Sequence, residues 1–393
     1  MRFAISDTDC MTDVATARSI LETLIGFDTT SARSNVDLID WVEAYLAQHG
    51  VTATRVSDAT GKKANLFATA GPNEKDGVIL SGHSDVVPVE GQEWSSDPWT
   101  LREEAGKLFG RGTCDMKGFL ALALAYVPKF AAGSKPVHLA ISYDEEVGCK
   151  GAPAMIERMA AGIPAPRLAI VGEPSSMRII TGHKSSATFE VQIRGHEAHS
   201  SLVNHGISAN MVAAELMGQL LEIARELEES ADRENGFDPP QATLTIGKMQ
   251  GGTANNILAG HASFLFDLRC PPGVDPKAVL APFRESCAAM DAAMKNRFEG
   301  TGVTFTQLSD IPPMIAQGSE DAVTFVRKLT GENAPPSQVA YAAEGGQFQA
   351  AGFPTVICGP GSIEQAHQPD EWIAISQFEE GARFMERLAE ALS

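Results

Sequence analysis

Short apolar runs alternate with helix-like stretches through the first part of the chain, and this alternation limits the fold more than any other feature. VIL at 78–80, VHLAI at 137–141 and LAIV at 168–171 have the length of buried strands. Stretches with helical spacing follow Met116 and Gly151. Strand and helix in turn predict an α/β fold with a mixed, largely parallel sheet flanked by helices.

The middle of the chain has a different order of elements. ATFEVQIRG at 187–195 alternates like a strand, and a helical stripe and two further strands follow it. A second helix and the strand VTFTQL at 303–308 complete the order βαββαβ, which is that of a ferredoxin-like module. We therefore predict an α/β domain of residues 1–181 plus 311–393, with the module inserted at 182–310.

Composition and charge exclude several classes of partner. Lys and Arg total 31 against 50 for Asp and Glu, which gives a net charge of -19. Nucleic acid and anionic membranes require a basic surface, so we expect neither as a partner. The apolar run LALALAYV at 120–127 is far shorter than the ~20 residues that span a bilayer.

The first residues and the cysteines indicate a cytoplasmic protein. The start of the chain is acidic where a signal peptide has a basic region followed by an apolar one. Six cysteines are scattered without a CxxC pair, so we expect reduced thiols and no zinc site built on cysteine.

Histidines and carboxylates stand at the ends of the predicted strands or at the start of a helix. In open α/β sheets the ligand crevice lies outside the carboxyl ends of the strands, so these side chains are expected to converge. The residues concerned are His83, Asp85, Asp115, Glu145, Glu146, Glu173 and His367.

The residue types favour a metal site. Two histidines with several carboxylates suit Zn²⁺, Mn²⁺ or Co²⁺, and two metals ~3.5–4 Å apart need a bridging carboxylate. His83 and Asp85 point the same way if the segment is extended, which would place the Asp85 carboxylate against the far nitrogen of the imidazole. Taken alone, a Glu-Glu pair or an HxD motif is more often a solvated surface.

Five segments, taken together, resemble one known family. They are SGHSDVVPVEGQEWSSDPWTLREEAGKLFGRGTCDMKG, DEEVGCKGA, VGEPS, RGHEAHSS and GPGSIEQAHQPDEW. In this order they are similar to the zinc amidohydrolases and exopeptidases that include acetylornithine deacetylase, succinyl-diaminopimelate desuccinylase, aminoacylase and glutamate carboxypeptidase. The resemblance covers nearly the whole chain and implies hydrolysis of an amide by a metal-activated water.

The resemblance also implies a ligand set. It implies two Zn²⁺ ions in each subunit, with Co²⁺ as a substitute. Asp115 would bridge the two ions. His83 and Glu173 would hold one of them, and Glu146 and His367 the other.

Further roles come from the same resemblance. Glu145 is the implied general base and Asp85 the implied orienting acid, and a cis peptide is expected at Asp115–Met116. The inserted module is expected to form a homodimer, in which His199 reaches the partner's active site and hydrogen-bonds the developing oxyanion. The alternative for His199 is a surface histidine in a turn.

Three residues are candidates for binding the substrate. The resemblance implies that Asn256 and Arg269 contact the substrate carboxylate, for which a guanidinium offers a bidentate fork. Family members often have proline soon after this asparagine, whereas this chain has NNILAG. Glu344 is a candidate for pairing with a cationic side chain; it could instead cap the following helix or orient a metal ligand.

The substrate class follows from the same resemblance. MQGGTANNI and GPGSIEQAHQPDEW are similar to the acetylornithine deacetylase branch, which implies that N2-acetyl-L-ornithine is hydrolysed to L-ornithine and acetate in arginine biosynthesis. The alternatives are a related N-acyl amino acid deacylase, a succinyl-diaminopimelate desuccinylase, and a catalytically silent metal-binding relative.

Overall fold

The computed structural model describes residues 7–393, with side chains from residue 13 onward. These residues form two compact units. The first comprises the chain up to Gly182 together with Met314–Gln338 and Ala343–Ser393, and the second comprises His183–Pro313 and Val339–Ala342. The assignment of the units to a catalytic and a dimerisation domain stays a prediction.

The elements alternate along the chain much as the apolar pattern predicts. The first stretch contains α1 (Asp7–Ile25), α2 (Val36–Gln48), β1 (Ala53–Ser57), β2 (Ala64–Ala70), β3 (Val78–His83), β4 (Arg102–Glu104), β5 (Lys107–Phe109), α3 (Lys117–Ala125), α4 (Val127–Ala131), β6 (Val137–Ser142), α5 (Ala152–Gly162), β7 (Leu168–Pro174) and β8 (Ile180–His183). The middle stretch contains β9 (Ser186–Arg194), α6 (Ala209–Glu229), β10 (Thr243–Gly251), β11 (His261–Arg269), α7 (Pro276–Val279), α8 (Ala281–Arg297) and β12 (Gly302–Ile311). The last stretch contains α9 (Glu320–Thr330), β13 (Ser337–Val339), α10 (Gly345–Ala350), β14 (Thr355–Gly359), β15 (Trp372–Ala374) and α11 (Ile375–Ala391).

An eight-stranded sheet organises the first unit, in the order β1-β2-β6-β3-β7-β14-β8-β13. Its four central strands, β6, β3, β7 and β14, run parallel to one another, and β1, β2 and β8 pair antiparallel outside them. Every residue of the central four is buried, as expected for parallel strands covered on both faces. The predicted mixed, largely parallel sheet is confirmed.

Helix α3 is the most deeply buried helix segment of the first unit. All nine of its residues are buried, because α1, α11 and the sheet pack around it. Its first residue, Lys117, donates hydrogen bonds from Nζ to the carbonyls of Leu24 (3.0 Å) and Phe27 (2.8 Å). Asp115 stands just before this helix, so the packing of α3 fixes where the Asp115 backbone lies.

The second unit is an antiparallel sheet in the order β10-β11-β9-β12. Helices α6 and α8 contact the sheet, and one face of β9 and β11 supplies the core through Phe189, Phe264 and Phe266. The elements follow one another in the predicted βαββαβ order.

Within the described residues, no helix is long and apolar enough to cross a bilayer. Cys10 lies outside the described side chains. The other cysteines are free and buried, namely Cys114, Cys149, Cys270, Cys287 and Cys358.

A glycine inside β7 gives a test of the packing beneath the central sheet. A Cβ at Gly172 would lie 2.2 Å from ring carbons of Phe119, which is itself buried on α3. Overpacking of this kind costs about 3 kcal/mol, so Gly172→Ala should lower the free energy of unfolding by roughly that amount in denaturant titrations. Phe119→Leu in the same chain should recover part of the loss.

Gly162→Ala is the matched control, because a Cβ there would meet no atom within 4 Å. We expect the control to leave stability unchanged or to raise it by about 0.5 kcal/mol. Equal stability of the two alanine variants would contradict the predicted clash.

Candidate metal centre

The predicted ligands lie where the central strands of the first unit end. His83 is the last residue of β3, and Glu173 is the next-to-last residue of β7. Glu145 follows β6 after a short turn, and His367 follows β14 after a longer one. The peptide Asp115–Met116 before α3 is cis, as the resemblance implied.

Asp115 lies between two pairs of histidine and carboxylate. Its Oδ1 is 3.0 Å from His83 Nε2, and its Oδ2 is 3.5 Å from His367 Nε2. His83 Nε2 is also 3.8 Å from Glu173 Oε1, and His367 Nε2 is 2.9 Å from Glu146 Oε2. Each oxygen of Asp115 therefore faces a different histidine, which is the arrangement expected of a bridging ligand.

The donor set fits a pair of divalent ions. Potential ligand atoms of His83, Asp115 and Glu146 lie within 4.8 Å of one another, and so do those of His83, Glu145 and Glu173. Nitrogen and carboxylate oxygen suit Zn²⁺, Mn²⁺ or Co²⁺. Glu146 Oε1 is buried without a hydrogen-bond partner among the described residues, and a bound ion would satisfy it.

The histidine on β3 is held in the tautomer that a metal ligand needs. His83 is buried, and its Nδ1 donates a hydrogen bond to the backbone oxygen of Asp85 at 2.8 Å. When the ring is neutral, this bond leaves the lone pair on Nε2 for a metal ion. Without an ion, burial lowers the pKa of His83, but the neighbouring carboxylates outweigh it and raise the pKa well above its usual value, and Nε2 donates to Asp115 Oδ1 at 3.0 Å.

Burial concentrates negative charge in this centre. Desolvation raises the pKa of Glu145 to about 8, and it also raises the pKa values of Glu146 and Glu173, which lie near further carboxylates. Asp115 behaves differently, because hydrogen bonds with two histidines outweigh its burial and keep its pKa well below the usual range. A divalent cation among these groups would offset the repulsion between the carboxylates.

The carboxylate of Asp85 lies near the imidazole ring of His83 and also holds a turn, so its orienting role stays a prediction. Its Oδ1 is 3.7 Å from His83 Nδ1. It accepts hydrogen bonds from the backbone N–H groups of Glu145 (3.1 Å) and Glu146 (3.3 Å), and from Ser31 Oγ (2.7 Å). The expectation assumed an extended segment, but β3 ends at His83 and the chain turns before Asp85.

Glu145 lies beside the ligands with both ends of the residue held. Its backbone N–H is bound by Asp85, and the thiol of Cys149 donates to its Oε1 at 3.1 Å. The thiol was not anticipated as a partner, although Cys149 stands in the DEEVGCKGA segment.

Glu344 is buried at the start of α10. Its Oε2 accepts a hydrogen bond from Ser81 Oγ at 3.1 Å, and its side chain does not cap the helix. Its Oε1 has no hydrogen-bond partner among the described residues. The capping alternative is therefore excluded, and the roles toward a cationic substrate or toward a metal ligand both stay open.

The second unit brings His199 and Asn256 together. His199 forms a β-bridge with Ile257, and the backbone N–H of Ser200 donates a hydrogen bond to the backbone oxygen of Asn256 at 2.9 Å. His199 Nδ1 lies 2.8 Å from Ser201 Oγ, so the ring has a hydroxyl partner within its own turn.

Arg269 lies at the other end of β11 from the Asn256 loop. The loop enters β11 at His261, and Arg269 is the ninth and last residue of that strand. At about 3.4 Å per residue, the strand separates its two ends by roughly 27 Å. Asn256 and Arg269 of one chain therefore cannot bind one carboxylate group together.

Sequence patterns did not identify two buried residues near the centre, Glu371 and Arg111. Glu371 and Arg111 form an ion pair with N–O distance 2.8 Å, and both side chains are fully buried. Glu371 stands in GPGSIEQAHQPDEW and Arg111 lies four residues before Asp115, but neither position has a strand-end pattern that would mark it.

Comparison with known proteins identifies the family. Residues 79–391 match the family described as peptidase family M20/M25/M40. Acetylornithine deacetylase of Myxococcus xanthus is 34% identical over 366 residues, which are 91% of this chain and 92% of that protein. Acetylornithine deacetylase of Pasteurella multocida is 33% identical over 375 residues, which are 94% and 93% of the two chains.

Solved structures share the fold. An M20 family metallo-carboxypeptidase from Sulfolobus solfataricus has a TM-score of 0.75 at 17% identity, covering 95% of this chain and 98% of that one. A dinuclear metal binding peptidase of the M20 family from Bacillus subtilis has a TM-score of 0.65 at 15% identity, covering 97% and 99%. The family match and the curated relatives indicate a metal-dependent hydrolase. This chain belongs to peptidase family M20/M25/M40.

Proposed function

We propose that this protein is an amidohydrolase of the cytoplasm that converts N2-acetyl-L-ornithine to L-ornithine and acetate in arginine biosynthesis. The observation that carries the chemistry is the position of Asp115 between two histidine–carboxylate pairs, with Glu145 buried beside them. The substrate is supported by relatives named acetylornithine deacetylase, which are 33% and 34% identical over most of the chain.

We assign two Zn²⁺ ions to each subunit, with Co²⁺ as a substitute. Asp115 is the proposed bridge, His83 and Glu173 hold one ion, and Glu146 and His367 hold the other. Ions bound there would act as Lewis acids toward the amide carbonyl and toward a water molecule. The assignment is supported by the distances around Asp115 and by the free oxygen of Glu146.

Glu145 is the proposed general base. Its carboxylate takes a proton from the attacking water and returns it to the departing amine, which has to leave protonated. Two contacts support this role, because Asp85 holds the Glu145 backbone and Cys149 restrains its carboxylate.

Glu344 is proposed to bind the ammonium group of the ornithine side chain. The carboxylate is buried, and one of its oxygens has no hydrogen-bond partner among the described residues. A charge-assisted hydrogen bond to that oxygen would favour a cationic substrate over a neutral one of similar size.

The second unit is proposed to form a homodimer with shared active sites. His199 and Asn256 lie beyond one end of β11 and Arg269 lies at the other, so residues from both ends meet one substrate only if two subunits contribute. Strands β10 and β12 are the edges of their sheet, and Met211 and Met249 nearby in the unit are exposed apolar side chains. In this dimer His199 would donate a hydrogen bond to the oxyanion in the partner's site.

A substrate panel tests the function. Zinc-loaded protein should release acetate from N2-acetyl-L-ornithine faster than it hydrolyses acetyl-methionine or succinyl-diaminopimelate. A preference for acetyl-methionine would favour the general deacylase alternative, and a preference for the succinyl compound would favour the desuccinylase. If the zinc-loaded protein hydrolyses none of the three substrates, the catalytically silent relative is favoured.

Substitutions at Glu145 and Asp115 separate proton transfer from metal binding. Glu145→Gln should lower kcat by about 10²–10⁴-fold while zinc content after dialysis stays near that of the native protein. Asp115→Ala should lose zinc first, because it removes the bridge. Metal analysis and acetate release decide the roles; loss of zinc from Glu145→Gln, with full activity in its metal-loaded fraction, would contradict the assignment.

Glu344→Gln tests whether Glu344 binds the ammonium group of the substrate side chain. The substitution keeps the shape and removes the charge, so kcat/KM for acetyl-ornithine should fall far more than kcat/KM for acetyl-methionine. Equal losses for both substrates would assign Glu344 to positioning of the centre instead of to substrate selection.

Mixed dimers test the shared site. His199→Ala and Glu145→Ala chains should each be inactive as homodimers, since loss of one oxyanion donor costs about 10²–10³-fold in rate. A heterodimer of the two should recover partial activity, because one of its sites combines an intact Glu145 with an intact His199 from the other subunit. Heterodimers confirmed by mass that remain inactive would place His199 within its own subunit's site or outside the chemistry.

A further inference from the structure

Two loops of the first unit supply neighbouring groups of the candidate metal centre. Residues 110–116 carry Asp115, and residues 360–371 carry His367. Glu371 ends the second loop and points its carboxylate into the first. We name this contact, made by Glu371 and Arg111, the loop clasp.

Four donors surround the Glu371 carboxylate. Its Oε1 accepts hydrogen bonds from the backbone N–H groups of Cys114 (2.9 Å) and Asp115 (3.0 Å). Its Oε2 accepts from the backbone N–H of Gly112 (3.0 Å) and from Arg111 Nη1 (2.8 Å). The N–H groups of Cys114 and Asp115 belong to the two consecutive peptide units that lead into Asp115. Their bonds to Glu371 therefore hold the backbone from which the Asp115 side chain extends.

Arg111 continues the clasp toward His367. Its guanidinium donates to the backbone oxygen of Gln368 at 3.3 Å and to Gln92 Oε1, and it lies 4.9 Å from the ring centroid of Trp94. Gln92 in turn donates from Nε2 to the backbone oxygen of His367 at 2.9 Å. The same buried ion pair is thereby connected to the backbone on each side of the centre.

Stability alone does not account for such a pair. Removing two charges from water is costly, and a buried ion pair is often no more stabilising than apolar side chains of similar volume. A carboxylate is required here for a different reason, because it accepts from three backbone N–H groups that an apolar side chain would leave without a partner.

We propose that Glu371 is a positioning residue of the metal centre and that, together with Arg111, it holds Asp115 and His367 at the spacing that a pair of ions requires. The inference rests on the proposed function only in taking Asp115 and His367 as metal ligands. Glu371 itself is proposed to contact neither the substrate nor an ion.

The test measures zinc binding to full-length protein, without substrate. Glu371→Gln is compared with the native chain and with a control variant, Glu386→Gln. In the control, α11 loses the carboxylate that pairs with Lys129 of α4 (2.5 Å). Zn²⁺ affinity is measured by competition with a chromophoric chelator, Co²⁺ binding by its absorption spectrum, and Tm on metal-free protein. We expect Glu371→Gln to weaken zinc binding by about 10–100-fold, as loss of a partner that orients a ligand does, and the control to leave it unchanged.

A double variant separates positioning from stability. Arg111→Met with Glu371→Gln leaves no unpaired buried charge, so its metal-free Tm should exceed that of Glu371→Gln alone. We expect the zinc affinity of this double variant to stay low, because the backbone N–H groups still lack their carboxylate. Zinc affinity that returns to the native value together with Tm would overturn the proposal, as would native affinity in Glu371→Gln.

If Glu371→Gln does not fold, Glu371→Asp replaces it, since this variant keeps a charge opposite Arg111 but withdraws the acceptor by one methylene. It should bind zinc more weakly than the native protein; native affinity would overturn the proposal. A protein that binds zinc with this dependence on Glu371 and does not hydrolyse acetyl-ornithine would contradict the proposed function and leave the loop clasp standing.

Discussion

The candidate metal centre is arranged around the buried carboxylate of Asp115, which lies between His83 and His367. Several further carboxylates are buried around it, and their raised pKa values express the repulsion and desolvation that result. Such a cluster persists in a folded protein when positive charge is close to it. The two histidines supply part of that charge, and a pair of divalent cations would supply the rest.

The scaffold around this contact is rigid for reasons that lie outside the centre. The four parallel strands are buried on both faces, so their carboxyl ends are held in register, and α3 is enclosed by α1, α11 and the sheet. The side chains that complete the centre come from turns beyond these ends. Those turns are held by buried acids, with Asp85 binding the turn of Glu145 and Glu371 binding the loop of Asp115.

Sequence patterns predicted the fold and brought attention to side chains that the structure places close together, and the family confirmed by the comparisons has the predicted fold. Their assignment as metal ligands stays a prediction. The same patterns do not indicate which backbone groups a side chain will bind. The Asp85 carboxylate was expected on the imidazole of His83, whereas the ring is held by the Asp85 carbonyl. Asn256 and Arg269 stand near opposite ends of β11 within one chain, so their contact with one substrate carboxylate stays a prediction that requires two subunits.

The central strands, the polar side chains near their carboxyl ends and the βαββαβ order of the second unit follow from local patterns of apolar and polar residues. Those patterns can be recognised in the sequence because buried positions repeat every two residues along a strand and about every 3.6 residues along a helix. The partners of Asp85 and Glu371 follow no such period. Asp85 meets Glu145 across 60 residues and Glu371 meets Asp115 across 256, so only the packed tertiary structure brings either acid to its backbone partners.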